Sequence, residues 1–336
     1  MTDSAPAIRK VLPFWIVTVA AAALAVVILH FTSIRIINYL EYPRTNPLVL
    51  AETYREEAGK YYLEAAEEYA SLENDPARSE KMSNSKTLLR AEKLFRECLK
   101  LKPNMKNVYP YLADLASFRG GTAEMYYYKG RQYLSENQYD AAIRVLNKAL
   151  ETQPGYIKAI EYKALALVRD GRPGRAMEVL DSLAETGEAG AEAYYIKALA
   201  AVELKQTEDY RKALVKALEK DPSHRESAIR LTGLYQTRDQ YDEAVNVLSK
   251  TLEFHPQDAN LLHRLGRLYI EKKDYAKARE TLEKAENIEK NSAPLYFDLA
   301  KVYARLNKKS RSTAMLQRAV AIDDSFKNRI LFENKE

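Results

Sequence analysis

The feature that most constrains the fold of this chain is a pattern that recurs every 34 residues from about residue 123 onward. Small residues recur in the first half of each repeat, at Gly130, Ala164, Ala198, Thr232, Gly266 and Ala300. Leucine recurs at one position in the second half, at Leu146, Leu180, Leu214, Leu248, Leu282 and Leu316. Six copies in one register, without a slip, indicate a stack of similar structural units.

Other positions of the repeat indicate what each unit contains. Large residues follow the first small column, at Tyr133, Leu167, Tyr235, Tyr269 and Tyr303, with Ala201 as the exception. A second small column runs through Ala142, Ala176, Ala244, Ala278 and Ser312, and Tyr210 interrupts it. Proline closes three units, at Pro154, Pro222 and Pro256. Small residues let two helices cross closely and proline cannot continue a helix, so the pattern predicts two helices per unit with a turn after the second.

The repeat resembles the tetratricopeptide repeat family at Gly130, Tyr133, Ala142, Ala149 and Pro154, and again at Gly266, Tyr269, Ala278 and Ala285. This resemblance implies an all-α fold, a tetratricopeptide-type α-α superhelical solenoid of six 34-residue units over residues 123–324. We expect residues 325–336 to form a short C-terminal cap, because the open end of such a stack needs a polar cover.

The region before the regular repeats, residues 52–122, is less regular. Gly59, Tyr62, Ala91, Phe95, Cys98 and Pro103 resemble one more unit, interrupted by a polar insertion at about residues 72–90. We interpret the insertion as a loop, because it is polar and contains an Asp-Pro turn signal. We expect an extra helix from Met105 to Phe118, ended by two glycines.

Residues 11–31 form a long apolar run without Asp, Glu, Lys or Arg. About 20 such residues suffice to cross a bilayer as a helix. We therefore predict a transmembrane helix at 11–31, a short basic cytoplasmic tail at 1–10 and a juxtamembrane linker at 32–51. The alternative is a cleaved signal peptide, but the run exceeds the apolar core of such peptides and no clear cleavage site follows it. Arg9 and Lys10 precede the span, which favours repeats in the periplasm of a bacterial inner membrane.

Composition excludes several other classes of protein. The net charge of +5 is too small to indicate a nucleic-acid partner by itself. Cys98 is the only cysteine, so the chain has no internal disulfide or thiolate metal site, and its helical pattern predicts a buried side chain. None of the four histidines pairs at a metal-ligand spacing, and no nucleotide-binding or hydrolase motif occurs. The sequence recommends neither an enzyme nor a cofactor or metal site.

In stacked helix pairs, the first helix of each pair lines the inner groove. The register places Tyr127, Tyr128, Arg131, Tyr162, Tyr195, Ile196, Arg230, His263, Arg264, Arg267, Lys301 and Arg305 on that face. The early members are mostly aromatic and the later ones are basic. We expect the groove to hold an extended peptide or a helix with apolar anchors and an acidic stretch. The alternative, in which the tyrosines are core and the basic face is only solvated, stays open from the sequence.

These features predict a membrane-anchored protein–protein interaction scaffold that recruits a protein or peptide partner through its groove, in a bacterial envelope assembly or secretion process. The lipid bilayer would be its second partner, through residues 11–31. The alternative function is a permanent structural subunit of a large membrane complex, such as a respiratory, photosynthetic or secretion assembly. In that case the outer surface and residues 52–122 would be covered by other subunits.

Overall fold

The structure is a computed structural model that describes residues 47–102 and 105–327. All regular secondary structure in these two ranges is helical, as the 34-residue pattern predicts. The chain divides into two compact units at the Glu136–Asn137 boundary. The two helices of the first 34-residue repeat fall on either side of this boundary.

The first unit contains the helices of the irregular region. They are α1 (Pro47–Ser71), α2 (Arg78–Ser83), α3 (Lys86–Leu101), a 3₁₀ turn (Lys106–Val108), α4 (Tyr109–Phe118) and α5 (Thr122–Ser135). Helix α1 packs along α3, and α4 packs against α5. The buried Cys98 thiol lies at 3.3 Å from the carbonyl oxygen of Ala51, and burial raises its pKa to about 11. The expectation of a buried cysteine is confirmed.

The insertion between α1 and α3 is not the loop that its polar composition predicts, because it contains helix α2. Two side chains fix the orientation of this short helix against the rest of the unit. Met82 is fully buried. Arg78 stacks on the Tyr69 ring, with its guanidinium carbon 3.3 Å from the ring centroid, and donates a hydrogen bond to the Tyr69 carbonyl oxygen. Ser85 then caps α3 by accepting a hydrogen bond from the Leu88 amide.

The second unit contains the regular helix pairs. Its helices are α6 (Tyr139–Thr152), α7 (Ile157–Arg169), α8 (Pro173–Glu185), α9 (Ala191–Glu203), α10 (Thr207–Lys220), α11 (Arg225–Gln236), α12 (Tyr241–Phe254), α13 (Ala259–Glu271), α14 (Tyr275–Ile288), α15 (Ala293–Arg305) and α16 (Lys309–Ile322). Each of α7, α9, α11, α13 and α15 packs against the helix that follows it. We call these five the first helices, and α8, α10, α12, α14 and α16 the second helices.

The core of the second unit consists of the columns that define the repeat. Four leucines of the leucine column, Leu146, Leu214, Leu248 and Leu282, have no exposed surface, and Leu180 is nearly as buried. The alanines of the small columns, such as Ala198 and Ala244, are equally buried. Burying a leucine side chain fully contributes about 2 kcal/mol, so the leucine column is a major source of stability in each pair.

The turn between the helices of each pair has one residue in the left-handed region, again every 34 residues. These residues are Asn137, Gly171, Lys205, Asp239, Lys273 and Asn307, with φ between 57° and 75°. After Lys205, the Gln206 amide donates to the Ala201 carbonyl oxygen at 2.8 Å, and the same bond recurs after Gly171, Asp239, Lys273 and Asn307. This is the Schellman ending, which favours glycine because a Cβ strains the backbone there.

Replacing Lys205 and Lys273 with glycine should therefore stabilise the protein. We expect a gain of about 0.5 kcal/mol per site, because the relief of left-handed strain exceeds the entropy that glycine adds to the unfolded chain. Urea denaturation should show a higher midpoint. The reverse change, Gly171→Ala, should lower it, since φ is 75° although the space around that Cβ is open. Unchanged midpoints in all three variants would contradict the role of this backbone conformation.

The ends of the chain lie partly outside the described residues. The tail predicted at 1–10, the membrane span predicted at 11–31 and most of the linker predicted at 32–51 are outside them. Helix α1 begins at Pro47, so the helical region starts before the predicted end of the linker. Among the described residues, no helix is long and apolar enough to cross a membrane. Of the predicted cap, Phe326 is buried and packs on Phe297, with ring centroids 5.2 Å apart.

Candidate first-helix face

The first helices of the second unit form a continuous surface. Helix α7 contacts α9, and α13 contacts α15, in addition to their own pair partners. Side chains of successive first helices therefore meet across this surface. We call it the first-helix face and define it by the residues that meet there: Glu161, Glu192, Tyr195, His224, Arg225, Arg230, Asp258, His263, Arg264, Arg267 and Asp298.

Tyr195 occupies the centre of the early part of this face. Its hydroxyl accepts a hydrogen bond from Arg230 Nε at 3.1 Å, and the Arg230 guanidinium carbon lies 5.6 Å from the Tyr195 ring centroid. The His224 ring lies 5.3 Å from the same tyrosine ring. Arg230 remains exposed, so the pair offers a flat aromatic surface with a cation at its edge. Such surfaces are common at protein interfaces.

Three residues predicted for the groove are buried instead. Ile196 has no exposed surface, and Tyr127 and Tyr128 each expose 5% of their surface. The Tyr127 and Tyr128 rings pack on each other with centroids 5.1 Å apart, and burial raises the pKa of Tyr128. Their side chains are core rather than contact surface. The reason is that adjacent residues on a helix point in different directions. The 34-residue register shows which residues are equivalent between repeats, but it does not show how deeply their side chains are buried.

Arg131 belongs to the first unit and contacts another residue of that unit. Its guanidinium donates to the Tyr109 hydroxyl at 2.8 Å and lies over the Tyr109 ring at 4.8 Å. In the second unit, Tyr162 is partly buried on α7. Lys301 lies 4.6 Å from the Phe297 ring centroid on α15, and Arg305 is exposed in the last turn of the same helix.

Carboxylates on the same face reduce the basic character that the sequence predicts for its later part. Asp258 caps α13 and pairs with Arg225 at 2.5 Å. Asp298 accepts from His263 Nε2 at 2.7 Å and lies 3.9 Å from Arg267. Asp298 stands in the column of Arg230 and Arg264, 34 residues after Arg264, so the repeat register already contained the signal for it.

Arg264 has no ion-pair contact with a carboxylate of residues 47–102 or 105–327. The Arg264 side chain is partly buried, and its Nε donates to Asn260 of the same helix at 2.9 Å. Burial and the positive charges of Arg225 and Arg267 lower the pKa of its guanidinium, while Asp258 opposes them. Arg264 therefore lies in a local excess of positive charge. A carboxylate from a partner would relieve that excess, and arginine binds carboxylates in a planar, bidentate geometry.

The early part of the face contains acidic groups that the sequence analysis passed over. Glu161 of α7 is buried and accepts a hydrogen bond from the Ala193 amide in the first turn of α9. It thus caps a helix whose own N-cap residue is Gly190. Burial and the nearby charge of Glu192 raise the pKa of Glu161 to about 7, against a smaller lowering by Lys158.

Glu192 links this group to His224. The Glu192 carboxylate and His224 Nε2 are 3.2 Å apart. Burial lowers the pKa of His224, but the hydrogen bond and charge of Glu192 outweigh it, and the net pKa is raised. His224 also caps α11, because its Nδ1 accepts from the Ser227 amide. A protonated His224 would lose that acceptor, so the two roles of this ring oppose each other.

A cavity of about 360 Å³ opens beside Arg230. It is lined by Tyr139, Val168, Arg169, Leu199, Val202, Glu203 and Arg230, together with Gly171. The lining combines apolar side chains with two arginines and the Glu203 carboxylate. This combination suits an apolar side chain. Within residues 47–102 and 105–327, no group of three or more His, Cys, Asp or Glu residues is arranged to hold a metal ion.

The comparisons with known proteins place the repeats in a family. Residues 237–296 match the model of a tetratricopeptide repeat. Residues 135–217 match the model of subunit 3 of the anaphase-promoting complex, or cyclosome. No curated protein sequence is a significant match.

Several solved structures match parts of this chain. A MamA structure labelled AMB-1 is 19% identical, with 49% of this chain and 90% of that chain covered and a TM-score of 0.42. MamA from Desulfovibrio magneticus RS-1 is 20% identical, with 50% and 95% covered and a TM-score of 0.43. The APC/C hetero-tetramer Cut9–Hcn1 is 17% identical, with 78% and 56% covered and a TM-score of 0.47. The two model matches lie within the 34-residue register, and the first identifies residues 237–296 as tetratricopeptide repeats.

Proposed function

We propose that this protein is an interaction scaffold whose first-helix face binds an acidic segment of a partner protein. The observation that carries the proposal is the state of Arg264, which is partly buried near the charges of Arg225 and Arg267 and has no ion pair with a carboxylate in the described part of the chain. Tyr195 and Arg230 supply an aromatic contact on the same face. Tetratricopeptide repeats are a protein-binding fold, and arginine with tyrosine is the pair of residue types enriched at interface hot spots.

The chemistry of the face indicates how such a segment would bind. Its apolar side chains would occupy the cavity beside Arg230, and its carboxylates would reach Arg264 and Arg267. The Glu192 carboxylate at the early end would repel acidic residues there. The partner's acidic stretch would therefore lie toward the C-terminal pairs, and the charge pattern would set its direction.

Charge reversal tests the proposal. Arg264→Glu combined with Arg267→Glu should weaken the binding of a fluorescent, glutamate-rich peptide with tyrosine and leucine anchors at least tenfold, measured by anisotropy. Two lost charge contacts and two new repulsions exceed the about 1.4 kcal/mol that tenfold requires. Binding by the natural protein should also weaken with added salt.

The matched control is Lys212→Glu with Lys220→Glu, which makes the same change of charge on the exposed surface of the second helix α10. This control should bind the peptide nearly as well as the natural protein. If it weakens binding as much as the Arg264 and Arg267 variant, only net charge matters and the first-helix face is a solvated surface.

We further propose that residues 11–31 anchor the chain in a bacterial inner membrane with the repeats in the periplasm, where they would serve an envelope assembly or secretion process. The support is the absence of charged residues in that run and the position of Arg9 and Lys10 before it. Protease treatment of spheroplasts should digest the repeats. Repeats that are digested only after lysis would reverse the proposed orientation.

A further inference from the structure

Three exposed apolar side chains occupy one position of the repeat in the last three helix pairs. Phe254, Ile288 and Ile322 are the final residues of α12, α14 and α16. They expose 56%, 45% and 37% of their surface. A single exposed apolar residue is ordinary, but here three fall in one column, 34 residues apart.

The packing of the repeat does not require an apolar residue at this position. The same column holds Lys220 and Thr186 in the two preceding repeats. The helices of those repeats, α9 with α10 and α7 with α8, pack as pairs with polar residues there. The apolar residues at this position in the last three pairs are therefore not explained by the packing of the pair.

A column of cations accompanies the apolar column. Lys250, Lys284 and Arg318 precede Phe254, Ile288 and Ile322 by four residues, so each cation lies one turn away on the same side of its helix. The three cations are exposed. We call these six residues the end row.

The partners that the cations have within the protein differ in exposure. Lys284 pairs with Glu280 at 2.8 Å, and both side chains are exposed. Such pairs contribute about 0–1 kcal/mol, so a partner's carboxylate can replace Glu280 at little cost. Arg318 pairs with Glu286 at 2.7 Å and lies 5.5 Å from the Tyr296 ring centroid. Because Glu286 is only 17% exposed, a partner's carboxylate would share Arg318 with it.

Acidic residues border the row on its other side. Glu289 and Asp323 directly follow Ile288 and Ile322, after the helices end. A flat anionic bilayer would contact these carboxylates together with the cations, which is unfavourable. A narrow ligand can lie with its apolar side on the apolar column and its carboxylates on the cation side alone.

The spacing indicates the form of that ligand. Helices α12 and α14 both pack on α13, and α14 and α16 both pack on α15. Neighbouring members of the apolar column are therefore on the order of 10 Å apart. Seven residues of an α-helix rise about 10.5 Å. An amphipathic helix with an apolar residue at every seventh position matches all three contacts.

We propose that the end row docks an acidic amphipathic helix of a partner protein, with apolar residues against Phe254, Ile288 and Ile322 and carboxylates toward Lys250, Lys284 and Arg318. This surface is separate from the first-helix face. The protein would then hold two partner segments at once, one on its first helices and one at the ends of its second helices.

The test uses the full chain and a synthetic 21-residue peptide with leucine at every seventh position, glutamate beside each leucine and alanine elsewhere. Phe254→Ser, Ile288→Ser and Ile322→Ser together should lower the affinity at least tenfold in fluorescence anisotropy, with unchanged circular dichroism of the protein. Lys250→Glu with Lys284→Glu should do the same. A peptide with two central prolines, which cannot form the helix, should bind at least tenfold more weakly.

Leu63→Ser with Leu89→Ser is the matched control, because both residues are exposed apolar side chains outside the row and outside the first-helix face. It should bind the helical peptide as the natural protein does. Equal binding by the triple serine variant, or by the proline peptide, would overturn the proposal. Self-association through the row, or capture of anionic vesicles that the triple variant abolishes, would overturn it too and assign the row to a second copy or to lipid.

Discussion

Glu161→Gln should make the protein more stable at pH 8 by roughly 3 kcal/mol, with almost no difference at pH 4. The cause is the raised pKa of the Glu161 carboxyl, about 7 against an ordinary value of 4.5, which burial and the charge of Glu192 produce. One pKa unit corresponds to about 1.4 kcal/mol of differential stability.

The sign follows from proton binding. Below pH 4.5 the carboxyl group is protonated in the folded and the unfolded chain, and it adds no pH dependence. Between pH 4.5 and about 7 the unfolded chain loses the proton first, so stability falls as the pH rises. Above that range the loss has its full size, because the folded protein must hold a buried carboxylate. Glutamine keeps an acceptor for the Ala193 amide without the charge.

Denaturation with urea at several pH values measures this effect. Glu192→Gln is the informative second variant, since it removes the neighbouring charge and leaves the buried carboxyl in place. It should lower the pKa of Glu161 and reduce the slope of stability against pH without abolishing it. A stability difference between Glu161→Gln and the natural protein that does not change with pH would show that Glu161 stays ionised or is accessible to water.

Gly266→Ala should destabilise the protein by about 1–3 kcal/mol, although alanine is the better helix former. A Cβ on Gly266 would lie 2.4 Å from Leu282 Cδ2 and 2.5 Å from its Cγ. Leu282 is fully buried and cannot rotate away without disturbing its neighbours. Helix α13 and helix α14 approach so closely here that the repeat's small column must be glycine in this pair.

A double-mutant cycle checks this explanation. Leu282→Ala alone should cost about 2–5 kcal/mol, but it should cost less in the Gly266→Ala background, where it removes the clash. Gly233→Ala on α11 is the control, because nothing lies within 4 Å of its added Cβ. It should stabilise the protein by up to about 1 kcal/mol. A stabilising Gly266→Ala would mean that the two helices separate easily.

The outcome for the insertion and the groove shows where prediction from sequence stops. Local composition predicted a loop where α2 forms. The contacts that stabilise this helix, the burial of Met82 and the stacking of Arg78 on Tyr69, arise from packing and are not visible in the composition of the segment. The register placed Tyr195, Ile196 and Tyr128 on one face, yet only Tyr195 reaches the surface described above. Depth within a column depends on the neighbouring helices, which a periodic pattern does not specify.

The sequence by itself determined the helix pairs, their turns and the buried leucine column, because each repeat carries the same small and large residues at the same positions and must pack in the same way. It also determined that cations and aromatics lie on the first helices. Only the tertiary structure decided how these groups combine. Asp298 reaches His263, Glu161 caps α9, and Arg264 lies near Arg225, and each of these arrangements joins residues of different repeats. Charge pairing and burial depend on distances between helices, and these arise only when the pairs stack.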